Sequence, residues 1–310
     1  MKSIKPRIIV VGSIHMDFTI LVDRLPKTGE TIIGRGFKMS PGGKGANQAV
    51  AVAKLGAEAY MVGRVGDDYL GNLLMENMSK NGVNIDFVKK DPSTYSGLAF
   101  ITVDQKGKNT ISVAPGADLT ISNGDVEEAI NVIKQADIML LQLEIPLEVV
   151  MYAAKKAFEN NIKVILNPAP YKPLPKELLE NISILTPNEI EVSMMSKVKV
   201  KGLKDLIKAG KKLLNIGIEK IIITLGDKGA MLVSKEKVIR FPAIKVKAID
   251  TTGAGDAFNG ALAVALAEGK IIDEAIKFAN FAGALTTTKV GAQEALPTKE
   301  EIEELMKKFA

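Results

Sequence analysis

Cysteine and tryptophan are both missing from the 310 residues, and there is a single histidine. Without thiols the chain has no disulfide, no zinc–thiolate centre and no cysteine nucleophile, a composition that suits a cytoplasmic protein. No run approaches about 18 unbroken apolar residues, so no membrane span is expected. The opening "MKSIKPRIIVVGSIHMD" carries lysines and an arginine, but its apolar run stops at Gly12 and lacks a small-residue cleavage site. It reads as a strand, not a signal peptide. Arginine is scarce, occurring only at 7, 24, 35, 64 and 240, and aromatics make up 5%. Nucleic-acid readers concentrate arginine and stacking rings. The formal charge of +5 is therefore read as solvated lysine-rich helix faces, as in "KEEIEELMKKF" (299–309), with no nucleic-acid partner.

What is present is an alternation. The runs "RIIVVGSI" (7–14), "AYMVGRV" (59–65), "DIMLLQL" (137–143), "KVILNPA" (163–169), "ISILTP" (182–187) and "KIIITLG" (220–226) read as buried strands. Between them, segments 45–56, 70–82, 146–161 and 203–217 have helical apolar spacing. Buried strands alternating with helices predict an α/β fold with a mostly parallel sheet covered on both faces. Residues 16–40 and 94–115 break the rhythm with strand-like alternation, as in "SGLAFITVD" (96–104), and "QKGKN" is a hairpin turn signal. They predict a small accessory sheet on a single unit spanning 1–310.

In open parallel sheets ligands bind beyond the carboxyl ends of the strands. His15 and Asp17 follow the first strand, Glu144 follows "LLQL", Asn167 follows "VIL", Asn188 and Glu189 follow "ILTP", and Gly226 follows "IITL". One such residue alone is more commonly a helix cap; five positions together point to a site. Two glycine-rich stretches, "PGGKGANQA" (41–49) and "DTTGAGDAFNGA" (250–261), each lead into a helix. Neither is a Walker A sequence, and "VVGSIHMD" lacks G-x-G-x-x-G. Asp256 is either a capping aspartate, favoured by the helix dipole, or a proton acceptor. Phosphoryl transfer needs a positioned carboxylate for the acceptor hydroxyl's proton, and the amides of Gly253, Ala254 and Gly255 would face the charge on the phosphoryl oxygens.

These residues resemble the ribokinase (PfkB-type) carbohydrate kinases over essentially the whole chain. Both family signatures are present, "GGKGANQAVAVAKLG" (42–56) and "DTTGAGDAFNGAL" (250–262), with "QLEIPLEVV", "LNPAP", "TPNE", "ITLGDKG" and "KVGAQEALP" in the right order. The resemblance implies a ribokinase-like α/β/α sandwich with a β-sheet lid, paired lids in a homodimer, and ATP-dependent phosphorylation of the 5-hydroxyl of D-ribose. Magnesium and an activating monovalent cation such as potassium are implied as well. It makes Asp256 the catalytic base and places Asp17, Gly43, Lys44, Gly45, Ala46, Asn47 and Glu144 on the sugar. Asn188, Thr224, Leu225, Gly226, Asp227, Lys228, Gly229, Gly255 and Asn280 fall at nucleotide positions, with Asp256 between the two substrates. Glu189 lies in the motif that influences magnesium-bound water, and Asp250, Thr252, Thr286, Lys289, Gly291 and Ala295 fall on the cation loop.

Two positions depart from the pattern: His15 stands where the family's ribose enzymes carry asparagine, and Ala295 where a serine is common. His15 is expected to meet a sugar hydroxyl in place of that amide. The same fold would also serve a nucleoside kinase, a fructokinase or a 2-keto-3-deoxygluconate kinase. A sugar sensor without catalysis is disfavoured by the intact Asp256.

Overall fold

Ile8, Ile9, Val10 and Val11 are all fully buried in the first strand, β1 (Arg7–Val11). Each such aliphatic side chain contributes about 1.5–3 kcal/mol of transfer free energy. Their side chains alternate between two cores: Ile8 and Val10 belong to one apolar cluster, Ile9 and Val11 to the other. That alternation is the pleat of a strand covered on both faces. The structure, a computed structural model, describes residues 5–309; residues 1–4 and 310 of the span predicted as one unit lie outside the described residues.

The remaining strands are β2 (His15–Leu21), β3 (Gly36–Gly42), β4 (Glu58–Gly66), β5 (Val83–Asp91), β6 (Gly97–Val103), β7 (Asn109–Ala114), β8 (Ile138–Leu141), β9 (Lys163–Leu166), β10 (Ile184–Leu185), β11 (Lys220–Thr224), β12 (Ala230–Ser234) and β13 (Val238–Phe241). Eight of these join β1 in one nine-stranded sheet, in the order β13-β12-β11-β10-β9-β8-β1-β4-β5. It is parallel from β5 to β11. The helices Lys44–Lys54, Ala254–Ala267 and Ile272–Thr286 pack on one face, and Leu147–Glu159 and Leu203–Leu214 on the other. The antiparallel edge β12–β13 goes beyond the sequence expectation. It arises because β11 turns back through a single 3₁₀ turn at Gly226–Lys228, too short for a crossover helix.

The two irregular excursions meet in a second, four-stranded sheet, β3-β2-β6-β7. Here β2 and β6 run parallel, while β3 and β7 flank them antiparallel. The "QKGKN" turn joins β6 to β7, with Asp104 N–H donating to the Lys108 carbonyl at 2.9 Å. Phe37, Phe18 and Phe100 stack across one side of this sheet, with centroids 6.0 and 5.6 Å apart. Alternation turns Asp17 to the opposite side.

Candidate active site

The helix Lys44–Lys54 starts unusually close to the β1–β2 junction, and Gly43 is what permits it. Gly43 has φ 88°, and a Cβ there would lie 2.7 Å from the His15 nitrogen. A side chain would be both strained and blocked. The approach lets Ala46 N–H donate to the Ser13 carbonyl at 3.0 Å and Lys44 N–H donate to Glu144 Oε2 at 3.0 Å. Ser13 Oγ donates to the same Glu144 oxygen at 2.5 Å. Gly42 leaves room for the Asp17 carboxylate, which a Cβ would meet at 2.4 Å.

Asp256 sits in the first turn of the helix Ala254–Ala267 and is only 6% exposed. Its carboxylate accepts from Asn47 Nδ2 at 2.9 Å and from Gln48 Nε2 at 3.1 Å. Gln48 is held in turn by Gln142 Nε2, which donates to Gln48 Oε1 at 2.7 Å, and its own Nε2 reaches Asn167 Oδ1 at 3.3 Å. Burial raises the Asp256 pKa; the Lys44 ammonium and the two amides oppose that rise. Burial likewise lifts Asp17 to about 6, with the Glu144 and Asp256 charges adding to it and His15 opposing. For Lys44, burial pulls down but the charges of Asp256, Glu144, Glu191 and Asp17 outweigh it, so the ammonium is kept. The result is a cup of three carboxylates around one lysine, in which Asn47 Oδ1 is buried without a hydrogen-bond partner among the described residues. A buried unpaired acceptor is a place for a ligand hydroxyl.

His15 has a partner that the sequence does not show. Its Nε2 lies 2.6 Å from Asp118 Oδ2, and the two side chains are 3% and 0% exposed. Nothing near either residue in sequence announces this partner, 103 positions away.

Beyond the Gly253–Asp256 turn lies a cavity of about 900 Å³. Its walls include Asn188, Thr224, Leu225, Gly226, Asp227, Gly229, Gly255 and Asn280, all expected at nucleotide positions. Ala243 to Val246 and Phe258 are also part of its lining, and neither was legible as site-forming. Lys228 instead faces an adjoining hollow, 3.5 Å from Glu189. Asn188 Oδ1 is occupied in capping the helix Glu189–Ser196, accepting from Ile190 and Glu191 N–H. Of the three amides expected to face an anion, Ala254 N–H is turned back to the Thr251 carbonyl at 3.3 Å. Gly253 and Gly255 N–H have no such backbone partner among the described residues.

Of the residues expected on the cation loop, Thr252 and Gly291 are held directly by Asp250. Its Oδ1 accepts from Thr252 N–H and Oγ1, at 2.9 and 2.7 Å, and its Oδ2 accepts from Gly291 N–H at 2.9 Å. These bonds outweigh the effect of burial and hold the carboxyl below its usual range. Thr286 Oγ1 donates to the Ala282 carbonyl and keeps its lone pairs, the Thr286 carbonyl accepts from Lys289 N–H at 3.3 Å, and Lys289 Nζ is paired with Glu301. Ala295 is fully buried and offers no side-chain oxygen. A carboxylate with backbone carbonyls is a donor set that fits a hard monovalent cation. Among the described residues no group of three or more acidic or histidine side chains could hold a metal ion on its own, and no helix is long and apolar enough to cross a membrane.

A buried, amide-held carboxylate at a glycine-rich helix start, between a polar cup and a large cavity, defines a group-transfer enzyme for a small hydroxylated substrate. The chain belongs to the pfkB family carbohydrate kinases, whose profile matches residues 5–299. It is 42% identical over 300 residues to a ribokinase of Bacillus subtilis, across 96% of this chain and 99% of that protein. A deoxyribokinase of Salmonella typhi is 35% identical over 300 residues, with 96% and 98% covered. Among solved structures, that of Arabidopsis thaliana ribokinase complexed with ribose and ATP superposes with a TM-score of 0.90 at 35% identity, covering 98% of this chain and 99% of that one.

Proposed function

We propose that this kinase transfers the γ-phosphoryl group of ATP to the 5-hydroxyl of D-ribose, giving D-ribose 5-phosphate and ADP. The observation that carries the reading is Asp256: a carboxylate buried between the polar cup and the large cavity, aimed by two amides and kept basic by its surroundings. Asp17, Asn47 and Glu144 supply acceptors for the sugar hydroxyls, and Lys44 balances their charge. The glycines at 43 and 45 and Ala46 let the backbone close on the sugar. Asp256 takes the proton of the 5-hydroxyl as that oxygen bonds to the γ-phosphorus and the bond to the β-phosphate oxygen breaks. The free N–H groups of Gly253 and Gly255 stabilise the charge on the transferred group.

ATP occupies the 900 Å³ cavity. Magnesium would be held chiefly by the phosphates, with Glu189 placed to act on it through water, and would neutralise phosphate charge. The loop of Asp250, Thr252, Thr286, Lys289 and Gly291 would hold a potassium ion, which would brace the neighbouring turn. The lid's outer side exposes Phe37 by 65% and Phe100 by 51%, with Ile20 and Met39 beside them. An apolar face of this kind supports a homodimer formed through paired lids. Cytoplasmic residence follows from the same reading and from the absence of cysteine.

The test is ADP release over a panel of pentoses, hexoses and nucleosides. D-Ribose is expected to give the highest kcat/KM. Preference for 2-deoxyribose or for a nucleoside would move the chain to another branch, and sugar binding without ADP release would make it a sensor.

A further inference from the structure

The lid leaves and rejoins the body through four chain crossings, and all four converge on one residue. His15 opens β2, pairs in register with Gly42 at the end of β3, and pairs with Gly97 at the start of β6. Its ring meets Asp118, just past the exit from β7, with Nε2 and Oδ2 2.6 Å apart. Asp118 Oδ1 accepts from Ile14 N–H at 2.8 Å, so this carboxylate also holds the backbone leading into β2. At Gly97 a Cβ would come within 2.5 Å of both Asp118 Oδ2 and His15 Cδ2, so the contact closes only because that position is glycine.

A buried ion pair is an inefficient way to stabilise a fold, since apolar side chains of like volume commonly do as well. Its place at the root of the lid calls for a positional role. Along a strand, residues two apart share a side, so His15 and Asp17 point the same way. We propose that His15 and Asp118 form a charged clasp that fixes the lid's crossings in one register and so holds Asp17 over the sugar. Both are positioning residues for the sugar-binding carboxylate, a role that rests on the ribose reading above. Burial alone would lower the imidazole pKa, yet Asp118, Glu144 and Asp17 together raise it to about 9. The ring is therefore a fixed positive charge at neutral pH, offsetting the carboxylates it faces.

The experiment compares His15→Asn, Asp118→Asn and the double variant. His15→Asn leaves the Asp118 carboxylate buried without its counter-charge and Asp118→Asn leaves the ring without its contact partner, facing only Glu144 and Asp17, whereas the double change leaves two neutral amides. Each single variant should raise KM for ribose about tenfold or more with KM for ATP little changed, and the double should recover most of the loss. In the ligand-free protein, amide hydrogen exchange of residues 97–114 should quicken in the singles and return towards wild type in the double. Wild-type ribose KM and exchange in the singles, or a double variant no better than either, would overturn the clasp. If the singles fail to fold, the double decides alone: folded with a near wild-type ribose KM supports the clasp, misfolded or impaired overturns it. The exchange readout needs no sugar, so a wrong substrate assignment would leave it standing while a wrong clasp would not.

Discussion

Replacing Asp256 by asparagine changes one oxygen for an NH₂ group at almost constant volume, and its two consequences separate cleanly. The first is chemical: an amide does not take up the hydroxyl proton. Loss of a general base lowers turnover by about 10²–10⁴-fold, equivalent to about 2.7–5.4 kcal/mol of barrier. The second is structural. Each carboxylate oxygen accepts one amide, from Asn47 at 2.9 Å and Gln48 at 3.1 Å, and asparagine keeps only one acceptor. Gln48 does not turn over freely to compensate, because its Oε1 already accepts from Gln142 at 2.7 Å. Asn47 can turn over, because its Oδ1 has no partner among the described residues and would then accept from the new NH₂, so the cost stays below the ~1–3 kcal/mol of an unpaired buried donor and is further offset by removing a buried charge. The variant should thus fold, with a melting temperature within a few degrees of wild type, at about 2–4 °C per kcal/mol or less for a chain of this size. A coupled ADP assay at saturating substrates should show a collapse in kcat, with KM for ATP nearly unchanged. Retention of more than about a tenth of wild-type kcat, with chemistry rate-limiting, would refute Asp256 as the base.

The pH profile follows from the raised pKa of Asp256 and of Asp17, the latter at about 6. Both must be ionised, so kcat/KM for ribose should fall on acidification towards pH 6 and below; a profile flat down to the ordinary carboxylate range would contradict this. Stability runs the other way: His15, raised from 6.5 to about 9, contributes fully below its unfolded value and loses that contribution as pH rises through 9. The urea midpoint should accordingly decline over that window, and a rising midpoint would remove the ion pair. Serine at 295 would add an oxygen to the cation loop, so Ala295→Ser should lower the potassium concentration that half-activates the enzyme; an unchanged activation curve would exclude that side chain. The lid strands β2, β3, β6 and β7 should gain hydrogen-exchange protection with ribose, as covers that exclude water do, and equal protection in both states would make the lid a static scaffold.

Much of the site was legible because its members are local or repeat a rule. Asp17, Glu144, Asn188 and Gly226 each follow a buried run, and parallel strands bring such ends to one edge. Lys44, Asn47 and Asp256 stand in glycine-rich helix starts whose composition serves a core poorly. The support behind them was legible only at Asn167, which follows a buried run. Gln48, Gln142 and Asn167 aim Asp256 through a chain of amides drawn from three separate elements. For the two glutamines the only hint was the one interrupting the apolar "LLQL". Asp118 was hidden because its segment has no periodicity and its partner lies across the lid. The edge strands β12 and β13 escaped because a three-residue turn replaced the helix that the alternation predicts.

The most direct measurement is phosphorus NMR of the product formed from D-ribose and MgATP. The account predicts a phosphomonoester signal coupled to two protons, those of C5, with ADP in equal amount, from the wild type but not from Asp256→Asn. A signal split by a single proton, or inorganic phosphate as the only new species, would contradict it.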